Sequence, residues 1–599
     1  GYLAVFNFSG MEKLVGGAGN DLFTFTTFGV ITGIGGIGID GGGGTNTITG
    51  PSGINPVAWS ITGATAGSVD SGAGVTTFTS IQILAANSTK DTLTGLAGGD
   101  TWTINAQDGG FVASGPGGAA AVAWSVTGAT TGLINAGAGI TTFTSIQQLA
   151  GNSTNDTLTG LNSGDTWTIN ASNGGSLASG ISFSGMEKLV GGAVDDNYTF
   201  TIAGVITGIG GMGIDGGGGT NIITGPGGAG LVDWTVTGSS LGSINSGAGI
   251  TNFTSIQTII GQSSNDRLTD IQANNTWHVT AANAGDISTS NILFSGIENL
   301  RGGAGTDLFI LSNGVGVTGV IDGGVGGTCT LDYGLYLGAV AVNLAAGTAT
   351  GTGGIADIQT YIGGAGNNTL TGANSANTWT ITANNAGNIN GTVAFSAFQN
   401  LTGGSSTDTF DFTPGFTVAG TIDGGAGSNT LKGPNAVNVW NITNTDQGTV
   451  AGMTFVNIAN LVGGTANDSF VFADQKGVTG SIDGGAAAAG NTFNYFAYIA
   501  PPADVYLTTA SSGTASNLGV GFTNVLNFIG NVIVHAPVPP PPSPVPAVPA
   551  SPTIIQFYST LLGVCLNGVS NYSAFYLPTS IQYQFYSILN NVIDFPLKK

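Results

Sequence analysis

Charge is what this 599-residue chain has least of: Asp, Glu, Lys and Arg make up 7% of it, against roughly 25% in an ordinary soluble domain. Only nine residues are basic, they are dispersed, and the formal net charge is -22. Neutralising a phosphate backbone takes clustered Lys and Arg, so nucleic acid is excluded as a partner. Anionic lipid headgroups would repel the chain as well. Cysteine is almost missing. Cys329 and Cys565 fall in different regions, build no disulfide framework and have no companion at a metal-ligand spacing. Catalytic residue types are equally thin: two arginines (Arg267, Arg301), two histidines (His278, His535) and one acidic doublet, Asp195-Asp196. Hydrolases and lyases need paired carboxylates, or a base beside a bound metal, in one cleft, so no enzyme is expected. No stretch reaches 18 uninterrupted apolar residues, which excludes a transmembrane helix. No signal peptide is visible, and Gly1 stands just before a full motif, which points to a processed or truncated N-terminus.

What the chain has in abundance is itself. A motif opening Phe8-Ser-Gly-Met11-Glu-Lys-Leu14-Val-Gly-Gly-Ala-Gly-Asn-Asp21 recurs ten times. Its anchors are Phe8, Phe78, Phe143, Phe183, Phe253, Phe294, Ile355, Phe395, Phe455 and Phe522. The third and sixth residues after each anchor are apolar. The thirteenth is an acid or amide in nine copies (Asp21, Asp91, Asp156, Asp196, Asp266, Asp307, Asn368, Asp408, Asp468) and His535 in the last. All three glutamates, Glu12, Glu187 and Glu298, belong to this motif. Self-similarity of this kind marks a repeat architecture, whose units bury their apolar faces by stacking on neighbours.

Anchor spacings of 40 to 70 residues are close to two or three times a unit of roughly 20 to 23, the length of one coil of a parallel β-solenoid. Two other segment types fill the intervals. One is Gly-x-Ile-Asp-Gly-Gly, at Asp40, Asp215, Asp322, Asp423 and Asp483. The other opens with tryptophan, at positions 59, 102, 124, 167, 234, 277, 379 and 440. Apolar and small polar residues alternate in Trp-Thr-Ile, Asn-Thr-Leu-Thr and Phe-Thr-Phe, which is strand periodicity. Gly-Gly, Gly-Asn and Asn-Asp supply the tight corners. The expected fold is therefore all-β: a parallel β-helix of roughly 20 to 25 coils over residues 1–535. At about 4.8 Å per coil, the rod would be on the order of 115 Å long. Phe, Ile and Leu should form inward ladders, with Trp in another. The preference for right-handed crossovers makes it right-handed.

Residues 536–552 hold nine of the nineteen prolines and form a semi-rigid polyproline spacer. Beyond it lie 47 apolar, aromatic residues, 553–599, in which Ile581-Gln-Tyr583-Gln-Phe585 alternates like a strand. Such a tail is too apolar to float free, so it is expected to dock. Ile555, Phe557, Tyr558, Tyr572, Phe575, Tyr576, Ile581, Tyr583, Phe585 and Tyr586 are the expected assembly residues.

One local match is to calcium chemistry. Gly16-Gly-Ala-Gly-Asn-Asp21 and Gly302-Gly-Ala-Gly-Thr-Asp307 fit the Gly-Gly-x-Gly-x-Asp nonapeptide. Calcium needs six to eight oxygens, and a lone aspartate on a turn does not provide them. The commoner reading is a carboxylate capping its own corner. Threonine-rich faces invite comparison with ice-binding arrays, but strand propensity alone accounts for threonine on a solvated sheet.

The pattern Phe-x-x-Ile-Glu-Asn-Leu-x-Gly-Gly-x-x-x-Asp, with its Ile-Asp-Gly-Gly and Trp-Thr-Ile companions, resembles the repeats of large secreted bacterial surface proteins. These are the filamentous-haemagglutinin-like and RTX-like β-solenoid adhesins. The resemblance covers residues 1 to about 535. It implies location outside the cell or on its surface, with adhesion or matrix building as the role, and a host or neighbouring cell surface as an additional partner. The expectation is a homopolymeric fibre or surface-layer subunit that takes copies of itself as partner and no cofactor. The alternatives are a monomeric adhesin stalk, and a calcium-binding exoprotein that unfolds when calcium is removed.

Overall fold

The computed structural model describes residues 10–537, except 27–28, 33–37, 53–56, 64, 86–91, 95–100, 105–122, 129–130, 136–139, 145–147, 152–154, 209–212 and 487–489; between 92 and 144 it describes backbone only. Contacts divide the chain into Gly1–Pro537 and Val538–Lys599. Residues 538–599 lie outside the described residues.

Every regular element described is a strand, and no helix occurs among the described residues. The strands form one sheet of 30 and two others of 17 and 11. Successive strands alternate between the 30-stranded sheet and one of the others. Asn400–Thr402 and Thr421–Asp423 lie in the 11-stranded sheet, while Thr409–Asp411 and Thr430–Lys432 lie in the 30-stranded one. Each pairs in parallel with the strand one circuit later, Leu401 against Ile422 and Phe410 against Leu431. The circuit takes 21 residues at Asp408, 25 at Asp196 and 23 at Asp468. The sequence reading of an all-β fold with long, mostly parallel sheets and an interior fed by the alternating residues is thus correct. Leu401, Phe410, Ile422 and Leu431 are each 0% exposed. In-register stacking of identical patterns keeps them inside, because a slip of one residue would turn the whole face outward.

The pairing departs from a purely parallel coil at the tryptophan segments. Thr378–Ala383 turns through Asn384 and Asn385 into Ala386–Ile389, and that strand turns back into Val393–Ser396; both steps are antiparallel. The first strand also pairs in parallel with the later Thr409–Asp411, and the third with the earlier Thr360–Ile362. The chain therefore climbs past two vacant rungs, fills them by zigzagging back, and then continues. Asn385, with φ 57°, makes the first reversal, a left-handed conformation that asparagine tolerates. Equivalent meanders open at Trp59, Trp124, Trp167, Trp234, Trp277 and Trp440. Three rungs per meander lift the larger sheet to 30 strands, above the expected 20 to 25 coils. Five of the six long anchor spacings contain, in addition, a plain coil carrying Ile-Asp-Gly-Gly, the exception being Phe78 to Phe143.

Apart from Trp102 and Trp124, which pair in register, the tryptophans do not form a ladder of their own. Trp167, Trp277, Trp379 and Trp440, all 0% exposed, each stack on an aromatic ring fifteen residues after an anchor. The partners are Tyr198, Phe309, Phe410 and Phe470, with centroids 5.4–5.7 Å apart and planes within 21°. Each also meets its anchor Phe edge-on. The indole N–H of Trp234 donates to Asp266 Oδ1 at 3.2 Å, whereas those of Trp59, Trp167, Trp277, Trp379 and Trp440 find no acceptor. Burying an unpaired N–H costs about 1–3 kcal/mol, so the stacked position must recover more than that from packing. Replacing Trp379 by alanine is accordingly expected to cost about 3–5 kcal/mol, read as a fall in the urea midpoint at unchanged slope. An unshifted midpoint would show that the ring is not part of the core.

Candidate functional site

In the described copies from Asp156 to Asp468 the residue thirteen after the anchor is buried at a corner, where the chain leaves one sheet and its amides lose their strand partners. Asp408 shows the arrangement. Its Oδ2 accepts the amide of Gly404 at 2.8 Å within the same corner. Its Oδ1 accepts the backbone amide of Asn377 at 2.8 Å and the Asn377 side chain at 2.7 Å. The Asp408 amide in turn donates to Asn429 Oδ1 at 2.9 Å on the following rung. Asp468 repeats the pattern with Asn438, Gly464 and Asn491, and Asp196 with Asp165, Gly192 and Asn221. A buried amide without a partner is costly, and this ladder supplies one at every described corner bond.

The rung after the anchor uses a longer side chain for the same purpose. Gln82, Gln257 and Gln399 accept the amides of Asn46, Asn221 and Asn368. Glu187 and Glu298 accept those of Asp156 and Asp266, each at 2.8 Å. In these two copies carboxylate lies beside carboxylate, with Asp156, Glu187 and Asp266 buried and Glu298 half-buried. Burial is the main reason that the Asp266 carboxyl is pushed up to about 6. A bond from Trp234 opposes the shift and the charge of Glu298 adds to it. Burial likewise brings Asp165 to about 6, against a bond from the Leu161 amide and with help from Asp196. Glu187, Asp196, Asp270, Asp307 and Asp468 are raised too, burial leading in each case.

Both aspartates of the calcium-like nonapeptide belong to this ladder. Asp21 Oδ2 accepts the Gly17 amide at 2.8 Å, and its amide donates to Asn46 Oδ1. Asp307 is 0% exposed, with Oδ1 accepting the Asn275 amide at 2.8 Å and Oδ2 3.8 Å from Cys329 Sγ. Among the described residues no three His, Cys, Asp or Glu side chains form a group able to hold a metal ion. The outward aspartates of the Ile-Asp-Gly-Gly coils cap their own turns instead, and three of them also meet a base. Lys13 lies 3.6 Å from Asp40, Lys188 3.7 Å from Asp215 and Arg301 3.1 Å from Asp322.

The sites with unspent bonding capacity are the ends of the sheets. Among the described residues, Leu14–Val15 pairs only with Ile39–Asp40, and Leu22–Thr24 only with Thr47–Thr49. At the far end Val525–Gly530 pairs only with Asn491–Tyr495, and Val532–His535 only with Ala503–Leu507. Proteins usually blunt such edges with charge, proline or a bulge. Here Met11, Val15 and Leu22 are 58–67% exposed at one end, and Leu526, Ile529, Ile533 and Val534 are 40–48% exposed at the other. His535 pins the last strand, its Nε2 3.1 Å from Asp504 Oδ1 and its ring stacked 4.2 Å from Tyr506. The sequence reading placed assembly in the tail and named none of these C-terminal edge residues. The signal was the run Val525-Leu-Asn-Phe-Ile-Gly-Asn-Val-Ile-Val, in which apolar residues occupy both faces. The ten tail residues from Ile555 to Tyr586 lie outside the described residues. No helix among the described residues is long and apolar enough to cross a membrane. No family model matches this chain, and no curated protein matches it.

Proposed function

We propose that the chain is a structural subunit of an extracellular bacterial fibre or surface layer. It is built as a right-handed parallel β-solenoid, its copies stack end to end, and the 553–599 arm of one reaches a neighbour. The observation that carries this reading is the bareness of both ends: strand edges with free hydrogen-bonding groups and exposed aliphatic side chains, not covered within residues 10–537. An edge of this kind is a template for another strand. Joining unlike ends is a head-to-tail contact, which propagates into a filament unless it closes a ring. The low charge supports the reading as well, since little repulsion opposes the approach of two ends, and a Gly, Ser, Thr and Asn surface suits a protein outside the cell.

Negative-stain electron microscopy of the full chain and of a chain ending at residue 552 tests it. Fibres are expected from the first, with an axial repeat near 140 Å from the 29 steps between 30 strands at about 4.8 Å each. The truncated chain should give isolated rods. Single rods from both would leave the monomeric adhesin stalk as the surviving account.

A further inference from the structure

The 17-stranded sheet ends at Gly354–Ala356, and the 11-stranded sheet begins at Thr348–Ala349, four residues earlier in the chain. At the same level the 30-stranded sheet runs through without interruption, with Leu331 paired to Tyr361 and Tyr361 to Phe395. The break falls where a meander should stand. Ala341–Asn343 takes the place of the tryptophan strand, with Val342 beside Leu370 as Trp440 is beside Phe470, and Ile355 replaces the anchor phenylalanine. In the meander of Trp440 the middle strand registers through three pairs with each of its neighbours. Thr348–Ala349 registers through two pairs with Ala341–Asn343. Towards Gly354–Ala356 no pair is registered among the described residues, and the backbone bond across the gap runs from the Ile355 amide to the Gly347 carbonyl at 2.8 Å. Packing is as thin as pairing. Ile355 is half-buried where Phe395 and Phe455 are buried, and apart from Leu344 every residue from 344 to 354 is Gly, Ala or Thr.

The other turn of this segment, Thr350 to Gly353, is tied down by tyrosine. Tyr333 and Tyr336 are both buried. The Tyr333 hydroxyl donates to the Thr350 carbonyl at 2.7 Å, and the Tyr336 hydroxyl donates to the Val315 carbonyl on the preceding corner. That corner also grips the turn, since the Val317 amide donates to the Gly351 carbonyl and the Gly353 amide to the Gly319 carbonyl.

We propose that this seam is a joint built into the stack of strands. The interrupted wall parts between Gly347 and Ile355, while the 30-stranded sheet and the tyrosine-held turn keep the two halves together. Main-chain bonds and buried apolar contacts set the stability of a local region, and this segment has few of either, so it opens far more easily than the whole fold. The opening stays local, because each rung of a repeat array is held only by its neighbours. A bending load is therefore relieved here before any complete meander yields. The joint belongs to a single chain and stands whether or not copies assemble.

Hydrogen exchange of the full chain, followed by mass spectrometry, tests the proposal. Peptides covering 344–356 are expected to exchange at least tenfold faster than those covering 439–456, the complete meander of the same wall. Tyr336→Phe removes the hydroxyl bond to Val315 and should speed exchange at 344–356 at least threefold further, with 439–456 unchanged; Tyr333→Phe should act in the same way. In negative-stain images, bends should fall at the level that divides the interrupted wall 17 strands to 11. Exchange at 344–356 as slow as at 439–456 overturns the joint. So do tyrosine variants in which the two segments accelerate alike, because a joint opens alone, and so do bends spread evenly along the particle.

Discussion

Valine in place of Gly387 is expected to unfold the meander around it, at a cost well above 4 kcal/mol, while valine at the adjacent Asn388 should cost about 1 kcal/mol or less. Gly387 lies in the middle strand, directly across from the anchor Phe395. A Cβ there would fall on the carbonyl oxygen of Thr380 and within 3.1 Å of both the Ile381 Cα and the Phe395 ring. The ring covers the glycine backbone, so nothing flexible can give way. Seven more middle strands pair a glycine with an anchor in the same register: Gly67 with Phe78, Gly132 with Phe143, Gly175 with Phe183, Gly242 with Phe253, Gly285 with Phe294, Gly448 with Phe455 and Gly513 with Phe522. Asn388 points outward from the same strand, and its Oδ1 accepts one bond, from the Gly391 amide. Limited proteolysis with mass mapping separates the two variants. Gly387→Val should be cut between residues 378 and 411 under conditions that leave Asn388→Val intact, because damage in a repeat array spreads only through neighbouring interfaces. Equal resistance of both variants would show that the anchor does not rest on this backbone.

That glycine also explains which parts of the architecture were legible in advance. Alignment on the anchor phenylalanines revealed the repeat, the inward Ile and Leu ladders and the corner acids, since each of these keeps a fixed distance from Phe. The meanders stayed hidden because period-2 alternation is the same in a parallel and an antiparallel strand. Alignment on tryptophan would have exposed them. Eight residues after Trp59, Trp167, Trp234, Trp277, Trp379 and Trp440 stands Gly67, Gly175, Gly242, Gly285, Gly387 and Gly448, and two residues before most of these glycines is Asn, Ser or Asp. A residue that tolerates positive φ, followed by a glycine beneath an aromatic ring, is a reversal signal. Asn173, Ser240, Asn283, Asn385 and Asp446 all adopt it. The corner aspartates were read correctly as caps of their own turns. Their second bond, to the neighbouring rung, belongs to residues 21 to 32 positions away and has no local signature.

Acidification from pH 7 to about 5 is expected to stabilise this protein, contrary to the usual acid lability of folded chains. A carboxyl whose folded pKa lies above its unfolded value of 3.8 favours folding fully below 3.8, and that contribution is lost as pH rises through the folded value. For Asp165 and Asp266 the window runs from about 4 to about 6. Each should return on the order of 2 kcal/mol across it, at 1.36 kcal/mol per pKa unit. Glu187, Asp196, Asp270, Asp307 and Asp468 act in the same direction, as does relief of self-repulsion at a net charge of -22. The opposite slope belongs to Asp40, Asp215 and Asp411, which end below 3.8. Asp40 is lowered chiefly by the Gly42 amide. Burial pushes Asp215 and Asp411 up, but the Gly217 amide, the Thr413 hydroxyl and nearby lysines outweigh it. Their contributions disappear only as pH falls through those lower values, so the stability maximum should lie between about pH 4 and 5. Melting followed by circular dichroism at pH 7.5, 6, 5 and 4 reads the slope. Glu298→Gln provides the internal check. Glutamine still accepts the Asp266 amide, as Gln257 and Gln399 accept theirs, but it removes the neighbouring charge. The variant should therefore melt higher than the native chain at pH 7.5 and gain less on acidification. A melting temperature that falls steadily from pH 7.5 to 5 would mean that these corners are hydrated and their carboxylates ordinary.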